Sequence, residues 1–573
     1  MRACVLPLAI VAIAAVLRLW AIELDAQNPF YDAAVRSMGL SWHNFFFGAL
    51  DPSGKLGIDK PPVDLWLQVL STKLLGFNRA ALALPETLGG IAAVALLYAA
   101  VARACGRLAG GLSALALAVM PIAVLTSRSD TMDSVMSALL VAALWSSVVA
   151  MQSRRARYIL LSAALVGVAF DVKLGQALVA VPALALMWWA AFRPHRRIRL
   201  AAVTGTVLVV VAMAWALTAS LTPLSGRPFP MGSHTGSIYR AMFVFNGIER
   251  LAGASREVAP FGFSSGPGLG RLLGLGQPHY ATLIGLELVA ALALLIAAGV
   301  LWLLDRGPDR TALAEQQALG ARVVRWFVAT LLVWLATAYV LFSFMGHLQP
   351  RYLEAMSPAV AAVLGIATAY LLARAQTRRA AWLCAGGLAV NAAFAAHASG
   401  ASDTGAQVCL LATVVALAGL SLAPPRRLSL GARDATMPRL GVALPVVVSL
   451  ALLAAPAEAS IDLVEERTSD ANPTGSGNQF SAYLRAHRKG ARYETAATNP
   501  LAVVGLIAQD AQPVLILRSI DGVLVSVGEL RQLVRERAVR FVILPHPCWP
   551  IGDRSDHQSV DRHCTPTTAW SVR

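Results

Sequence analysis

The stretch that decides the fold is residues 28–68, which read NPFYDAAVRSMGLSWHNFFFGALDPSGKLGIDKPPVDLWLQ. Its first half is dense in aromatic side chains, namely Phe30, Tyr31, Trp42, Phe45, Phe46 and Phe47. Such residues settle between the headgroups and the hydrocarbon of a bilayer. Its second half places the Asp59–Lys60 pair and two prolines directly before an amphipathic run. The stretch therefore predicts a folded loop at a membrane surface.

The sequence around this loop predicts a mostly α-helical, polytopic membrane protein. Of the 573 residues, 57% are hydrophobic and only 14% are charged, and the core of a soluble protein could not bury so much apolar surface. A helix needs about 20 mostly apolar residues to cross a bilayer. The fifth of the thirteen candidate windows is short and could be a broken or tilted helix. The windows are residues 3–24, 80–102, 108–126, 131–150, 157–172, 174–192, 199–221, 279–304, 322–344, 352–374, 380–398, 405–423 and 438–457.

Arginine clusters orient these spans. Arginines gather in every second loop, for example at Arg154 and Arg155, and short arginine-rich loops stay in the cytoplasm. The N-terminus is then cytoplasmic, while loops 25–79 and 222–278 and everything after residue 457 lie outside. The net charge of +16 follows from this topology and from contact with lipid headgroups, so nucleic acid is not an expected partner.

The C-terminal tail is predicted to be a small α/β domain. Polar residues 458–477 form a linker, and residues 478–573 alternate helix-like and strand-like segments, which favours a largely parallel sheet. This tail carries Cys548 and Cys564. Outside the cytoplasm two such thiols are expected to form a disulfide, although neighbouring histidines leave a metal site as an alternative.

Asp59 and Lys60 are the first candidate site residues. Residues 61–76 begin with proline and are too short to span, so an interfacial helix is expected there. Backbone N–H groups at the start of a helix favour anions. Lys60 could hold phosphate oxygens, and Asp59 could accept a proton or hold a divalent metal ion. An ordinary ion pair that caps the helix is the alternative interpretation.

A second group of candidates comes from TSRSDTMDSVM at residues 126–136. Asp130 and Asp133 are three residues apart and would share one helix face. Asp133 is expected at or just within the membrane, where ionisable groups are costly and are functional candidates. A helix-capping role explains Asp130 well. Arg128 could pair with either acid or with a phosphate.

Loop 222–278 offers a further candidate surface on the same side as loop 25–79. It contains His234, Tyr239, Asn246 and Arg250 among small residues. These side chains could contact a sugar or its acceptor, or they could satisfy the backbone of a structured lid.

These stretches together resemble a known superfamily, the polytopic glycosyltransferases that use polyprenyl-phosphate sugars as donors. It comprises protein O-mannosyltransferases and aminoarabinose transferases of the GT-C fold (glycosyltransferase family 39), and the chain is most similar to its bacterial YkcB-like branch. The resemblance rests on residues 28–68, on GSIYRAMFVFNGIERLAG at 236–253, on GHLQPRYLEAMSPAVAAVLG at 346–365 and on RFVIL at 540–544. It implies a GT-C bundle in a bacterial cytoplasmic membrane, with two amphipathic helices in the first external loop. It also implies inverting transfer of a sugar from a lipid phosphate to an external acceptor.

The resemblance also implies roles for individual residues. Asp59 and Lys60 match the acidic-Lys-Pro element near the donor phosphate, and Asp133 matches the acid after the third span. The candidates for binding the donor phosphate are then Lys60, Arg128, His347, Arg351 and Tyr352. The candidates for binding the sugar or the acceptor are Tyr31, Asp130, His234, Tyr239 and Asn246.

One departure from the superfamily leaves the general base open. An Asp-Glu pair usually stands four and three residues before a Tyr, but Gln27 and Asn28 hold those positions before Tyr31. The base is therefore expected among Asp25, Asp59 and Asp133. A divalent cation held by Asp59 and Asp133 is compatible with the sequence, which does not demand one.

Two other functional classes compete with an enzyme. A transporter or flippase would need ionisable residues at mid-membrane, and the candidates are Asp171 and Lys173, which are expected to form an interfacial pair. A membrane scaffold would leave the external acids unexplained. The gathering of acids on one face favours the transferase.

Overall fold

The computed structural model describes residues 2–192, 194–252, 266–275, 278–304, 315–375, 377–422, 440–468, 477–520, 522–543 and 570–571. Its bulk is a bundle of apolar helices, which confirms the mostly helical prediction. The helices are Arg2–Leu19, Arg79–Cys105, Arg107–Val119, Pro121–Ser127, Asp133–Ser153, Ala156–Lys173, Val181–Ala191, Arg197–Leu221, Leu286–Leu304, Glu315–Phe344, Ser357–Leu372, Arg378–Ala398, Thr404–Leu422 and Leu440–Glu465. Apolar runs of this length become helices because lipid offers no partner for backbone N–H and C=O groups.

The number of helices that can cross a membrane differs from the thirteen expected. Within the described ranges ten helical segments are long and apolar enough, or eleven if Arg107–Val119 and Pro121–Ser127, bent by 61°, form one span. Thr404–Leu420 is a shorter apolar helix, and Ala156–Ala191 is one continuous helical segment of 36 residues. The difference therefore lies in these three places.

The segment Ala156–Ala191 nevertheless turns back on itself. The indole of Trp188 donates to the hydroxyl oxygens of Ser147 and Ser162 at 3.1 and 3.0 Å. In a straight helix residues 162 and 188 would lie about 39 Å apart. The chain reverses through the 3₁₀ helix Leu174–Ala180, so the segment has the two legs that the sequence predicts for 157–192.

A buried arginine stabilises the bend after Val119. Arg18 in the first helix is fully buried. Its guanidinium donates to the carbonyl oxygens of Leu117 and Ala118 at 3.2 and 2.9 Å and to Ser127 Oγ at 3.1 Å. The bend at Pro121 leaves the last carbonyls of the preceding helix without intrahelical partners. Arg18 satisfies them inside the bundle.

Gly90 should not tolerate a side chain, because it faces this bend. A Cβ atom at Gly90 would lie 2.8 Å from Ser127 Cβ and 2.9 Å from Arg18 Nε. We expect Gly90→Ala to destabilise the protein by about 1–3 kcal/mol through overpacking, measured as a lower melting temperature in detergent. Gly205→Ala, where nothing lies within 4 Å, is the control. Equal melting of the two variants would contradict the packing of Arg18 described here.

The first loop, residues 25–79, is folded as expected and contains three helices instead of two. These are Pro29–Met38, Trp42–Phe47 and Val63–Leu75. In Val63–Leu75, Leu65 and Val69 are buried while Leu70 and Leu74 are exposed, as suits a helix that lies on a membrane surface. The strand Leu56–Gly57 pairs in parallel with Phe229–Pro230, so Leu56 is opposite Phe229. Loop 222–278 therefore lies on the same side as the first loop.

The tail has the order of helices and strands that the sequence predicts. The helices are Gly477–His487, Val504–Asp510 and Val527–Arg535. The sheet order is Leu515–Ile516, Ala496–Ala497, Phe541–Ile543 and Trp570–Ser571, with the first three strands parallel and the last antiparallel. Cys548 and Cys564 lie outside the described residues, so their disulfide stays a prediction.

The tail packs against the first loop. Helix Val504–Asp510 lies on helix Pro29–Met38, and Val504 belongs to the same buried cluster as the membrane bundle. The Arg36 guanidinium donates to the carbonyl oxygens of Ala508 and Gln509 at 3.2 and 3.0 Å. A cation at the C-terminus of a helix complements its dipole. The tail therefore forms part of the structure around the first loop.

Candidate active site

A cavity of about 840 Å³ lies where the first loop, loop 222–278, residues 341–352 and the tail meet. Its polar lining consists of Asn28, Tyr31, Asp59, Lys60, Lys173, Gln176, Asn246, Arg250, His279, Thr282, His347, Gln349, Arg351, Tyr352 and Thr468. Within the described lining, one carboxylate, that of Asp59, stands against the basic side chains of Lys60, Lys173, Arg250 and Arg351. The cavity is therefore suited to an anion.

A chain of polar contacts crosses the cavity wall. Asp59 Oδ1 lies 3.5 Å from Lys60 Nζ, and Asp59 Oδ2 lies 3.5 Å from Arg250 Nη2. Lys60 also donates to the Tyr31 hydroxyl at 3.0 Å, and Arg250 donates to the Tyr352 hydroxyl at 2.9 Å. The chain links the first loop, loop 222–278 and the loop around Tyr352.

Backbone contacts hold these side chains in place. The strand pair Leu56–Gly57 and Phe229–Pro230 ends just before Asp59, and Asn246 Nδ2 donates to the Asp59 carbonyl at 2.8 Å. The Arg250 carbonyl accepts from the His347 N–H at 3.2 Å. Helix Val63–Leu75 begins after Pro62, and proline has no N–H that would need a partner. Asp59 and Lys60 thus precede the interfacial helix, as the sequence indicates.

The charges of the cavity shift the pKa values of its acidic and basic groups. Burial alone would raise the pKa of Asp59, but the positive charges of Lys60 and Arg250 together with hydrogen bonds, one of them from Asn246, hold this pKa below its ordinary value. Burial lowers the pKa of Lys60, but Asp59 and Tyr31 together raise it further, so this pKa lies above its ordinary value. Burial opposes ionisation of Tyr31, yet Lys60 and Arg351 lower its pKa. At neutral pH Asp59 and Lys60 are therefore both charged.

His347, Arg351 and Tyr352 all line the cavity. Burial, followed by the positive charges of Arg250 and Arg351, lowers the pKa of His347 to about 4. His347 is therefore neutral at pH 7 and can serve a phosphate as a hydrogen-bond donor but not as a cation. Tyr352 is buried and reaches Arg250.

Asp25 and Arg128 pair with each other outside the cavity lining. Arg128 Nε donates to Asp25 Oδ2 at 2.7 Å, and Arg128 Nη1 donates to the carbonyl oxygens of Leu17 and Trp20 at 3.0 and 2.8 Å. Both side chains are buried. Burial raises the pKa of Asp25 more than Arg128 lowers it. The pair lies at the end of the first helix, and neither residue is part of the cavity lining.

Asp130 and Asp133 lie behind the cavity wall. Asp130 Oδ1 accepts from the N–H of Asn28, a lining residue, at 2.9 Å. Burial raises the pKa of Asp130 to about 7. Asp133 Oδ2 accepts from Lys173 Nζ at 2.8 Å, and Lys173 also contacts the Thr131 carbonyl. Lys173 therefore pairs with Asp133, and the expected Asp171–Lys173 pair was wrong.

Loop 222–278 contributes some of its predicted residues to the cavity. Asn246 and Arg250 both line it. The sequence indicated Arg250 as a residue that could contact the sugar or its acceptor, and not as a phosphate ligand. His234 and Tyr239 are exposed and lie outside the lining, and the Tyr239 hydroxyl accepts from Ser220 Oγ at 3.1 Å. The motif NGIERLAG at 246–253, which carries the resemblance in this loop, is the feature that could have identified Arg250 as a site residue.

The residues present do not suit the metal ion that Asp59 and Asp133 could have shared. Asp59 faces Lys60 and Arg250, and Asp133 faces Lys173. Across the described part of the chain, no group of three or more His, Cys, Asp or Glu side chains could hold a metal ion. No catalytic step is therefore assigned to a metal.

Sequence comparison connects this site with sugar transferases. The family model described as dolichyl-phosphate-mannose-protein mannosyltransferase matches residues 59–220. "Putative mannosyltransferase YycA" of Bacillus subtilis (strain 168) is 33% identical over 237 residues, which cover 41% of this chain and 35% of that protein. The similarly named YkcB of the same organism is 32% identical over 231 residues, covering 40% and 32%. The matched region thus spans about a third of these relatives.

Solved structures share the fold over most of the chain. ArnT from Cupriavidus metallidurans bound to undecaprenyl phosphate has a TM-score of 0.53 at 16% identity, covering 93% of this chain and 88% of its own. AglB from Archaeoglobus fulgidus, in complex with an inhibitory peptide and a dolichol-phosphate, has a TM-score of 0.52 at 10% identity, covering 94% and 69%. The chain therefore has the GT-C fold of these structures, and residues 59–220 are similar to a mannosyltransferase family. Two of the proteins that are similar to it in sequence are named as mannosyltransferases.

Proposed function

We propose that the protein is an inverting glycosyltransferase that takes a sugar from a polyprenyl phosphate and transfers it to an acceptor hydroxyl. The acceptor oxygen forms a bond to the anomeric carbon as the bond from that carbon to the phosphate oxygen breaks. The hydroxyl proton passes to a carboxylate, and the polyprenyl phosphate leaves. The observation that carries this proposal is the cavity in which one carboxylate faces four basic side chains.

Lys60 and Arg250 would bind the donor phosphate. They lie on opposite sides of Asp59, each 3.5 Å from one of its oxygens, and both line the cavity. Negative charge builds on the phosphate as the glycosidic bond breaks. Fixed cations in a site that excludes water stabilise such charge strongly. Arg351, on the same lining, adds a third positive charge.

Asp59 is the proposed general base. It lines the cavity, while Asp25 and Asp133 are held by Arg128 and Lys173 behind its walls. A carboxylate can remove the proton of an attacking hydroxyl when it lies within hydrogen-bond reach. Tyr31 and Asn246, which lie beside Asp59 and Lys60, are proposed to contact the sugar or the acceptor.

The apolar part of the cavity would hold the start of the polyprenyl chain. Phe170, Leu174, Leu178, Phe243 and Leu341 line it, and Leu178 and Phe243 are also 40% and 42% exposed. Exposed apolar side chains on a membrane protein face lipid tails. A donor could therefore keep its chain in the bilayer and its phosphate at Lys60.

We place the reaction on the outer face of a bacterial cytoplasmic membrane, with the N-terminus inside and the tail outside. The first loop, loop 222–278 and the tail share one side, and arginine-rich loops favour the cytoplasm for the other. The acceptor would be a lipid, an envelope glycan or a protein.

The test is sugar transfer by the purified protein. Radiolabelled polyprenyl-phosphate hexoses and pentoses are offered with envelope extracts as acceptors, and labelled product is counted. We expect transfer by the wild type and a loss of about 10²-fold or more for Lys60→Ala. Lys55→Ala, which removes a half-exposed lysine 3.9 Å from Glu529, should retain activity. If no donor supports transfer while liposomes take up a solute, the transferase proposal is wrong.

A further inference from the structure

The Asp59 carboxylate lies near two cationic side chains, in a place suited to an anion, which is called the anion position below. Its two oxygens each lie 3.5 Å from a cationic nitrogen, one of Lys60 and one of Arg250. Charge-assisted hydrogen bonds in proteins are shorter, at about 2.7–2.9 Å. The Asp59 carboxylate thus balances two cations without a close bond to either.

The backbone of Asp59 is fixed, and its buried side chain lies at the cavity wall. The Asn246 amide holds the Asp59 carbonyl at 2.8 Å, and two prolines follow Lys60 and restrict the chain there. The side chain borders the 840 Å³ cavity. Rotation about its side-chain bonds would turn the carboxylate away from the two cations and towards the cavity.

We propose that Asp59 holds the anion position in the empty enzyme and gives it up to the donor phosphate. This inference rests on the proposed function, which assigns Lys60 and Arg250 to that phosphate. Two anions within about 4 Å of each other repel strongly in a site shielded from water, so carboxylate and phosphate do not share the position. Binding of the donor is an exchange of one anion for the other.

The exchange makes the strength of Asp59 as a base depend on whether the donor is bound. While Lys60 and Arg250 hold the Asp59 carboxylate, it attracts a proton weakly, because nearby positive charge favours its ionised form. Once displaced it loses both cations and stands beside the phosphate, where it attracts a proton more strongly. The base becomes effective when a donor is present. After the reaction Asp59 holds the acceptor's proton. When it gives this proton to the polyprenyl phosphate or to water, the carboxylate returns to the cations, which assists product release.

The exchange predicts an unusual result for Asp59→Asn. We expect the variant to bind farnesyl phosphate at least about tenfold more tightly than the wild type, because no carboxylate competes for the cations. Binding is measured by calorimetry in detergent, without any sugar donor. Farnesol, which has the same chain and no phosphate, should bind both proteins equally. In the transfer assay the variant should lose kcat while its KM for the donor falls.

Glu249→Gln is the matched control. It removes one negative charge next to Arg250 in the sequence, from a side chain that pairs with Arg240 at 3.7 Å outside the cavity lining. Its affinity for farnesyl phosphate should stay within about twofold of the wild type if only the local exchange matters. An equal gain in both variants would show a general charge effect and overturn the inference.

Other outcomes are equally decisive. Unchanged or weaker binding of farnesyl phosphate by Asp59→Asn, and by Asp59→Ala as a second variant, would show that carboxylate and phosphate are held together and would overturn the exchange. The proposed function would survive that result if the wild type transfers sugar. Tighter binding in the variants without any transfer by the wild type would instead support the exchange and remove the transferase proposal.

Discussion

Arg250→Ala should lower kcat/KM for sugar transfer by about 10²–10³-fold, the loss typical when one preorganised charge is removed from a transition state. Arg250 contacts Asp59 and the Tyr352 hydroxyl and lines the cavity. Its removal leaves one side of the anion position without a positive charge. Steady-state kinetics with varied donor would measure the effect, with most of the loss in kcat because charge on the phosphate grows as its bond breaks.

Arg240→Ala is the control for this variant. Arg240 lies ten residues earlier on the same helical segment, is about one-third exposed and pairs with Glu249. Arg240→Ala removes the same side chain and charge as Arg250→Ala, but from a position outside the cavity lining. We expect its kcat/KM to stay within about threefold of the wild type, since exposed ion pairs contribute little. If both variants lose activity alike, Arg250 acts through the helical segment and not on the phosphate.

Lys173→Met should destabilise the protein by about 3–5 kcal/mol, because it leaves the carboxylate of Asp133 buried without a cation. Lys173 and Asp133 are both buried and lie 2.8 Å apart. Lys173 also reaches the Thr131 carbonyl, so the pair joins the end of helix Ala156–Lys173 to the start of helix Asp133–Ser153. The expected result is a low yield of monodisperse protein in detergent and a large fall in melting temperature.

The double variant Lys173→Met/Asp133→Leu tests the cause of that loss. Replacing both members of a buried ion pair with apolar residues is often neutral. Most of the melting temperature should then return, as a thermal shift measurement would show. A double variant as unstable as Lys173→Met would mean that the lysine matters through packing or through Thr131, not through the carboxylate.

The sequence predicts the first loop well because its signals are local. Asp59, Lys60 and the prolines are adjacent, so their position before an interfacial helix follows from the order of residues. Arg250 reaches Asp59 from 191 positions away. A contact between residues so far apart in the sequence depends on how two loops pack against each other. The residue pattern of either loop alone does not predict that packing.

For Arg128 the local sequence suggested a partner that the structure does not show. Its position beside Asp130 and Asp133 in the sequence suggested a phosphate ligand, yet the side chain points to Asp25 and to the carbonyl oxygens that end the first helix. An arginine has five donors, and exposed carbonyls at a helix end compete for them with any ligand. The neighbouring residues in the sequence do not show whether the guanidinium binds these carbonyl oxygens or a ligand.

The tail was predicted segment by segment for the same reason that the first loop was. Hydrophobic periodicity and a Ser526 cap mark the helix Val527–Arg535, and Ser526 Oγ accepts from the Glu529 N–H at 3.1 Å. The docking of helix Val504–Asp510 on helix Pro29–Met38 was not predicted, because the contact joins distant parts of the chain.

That docking also limits how often the chain crosses the membrane. Since Arg36 touches Ala508 and Gln509, the number of crossings between the first loop and the tail must be even. Nine candidate spans follow the first loop, the bent pair makes ten, and the second leg of Ala156–Ala191 makes eleven. If the bent pair and both legs of Ala156–Ala191 cross the membrane, Thr404–Leu422 is, among the helices described, the one left to restore an even count. With those segments counted as spans, a contact between two loops favours a transmembrane role for a helix that its length alone leaves undecided.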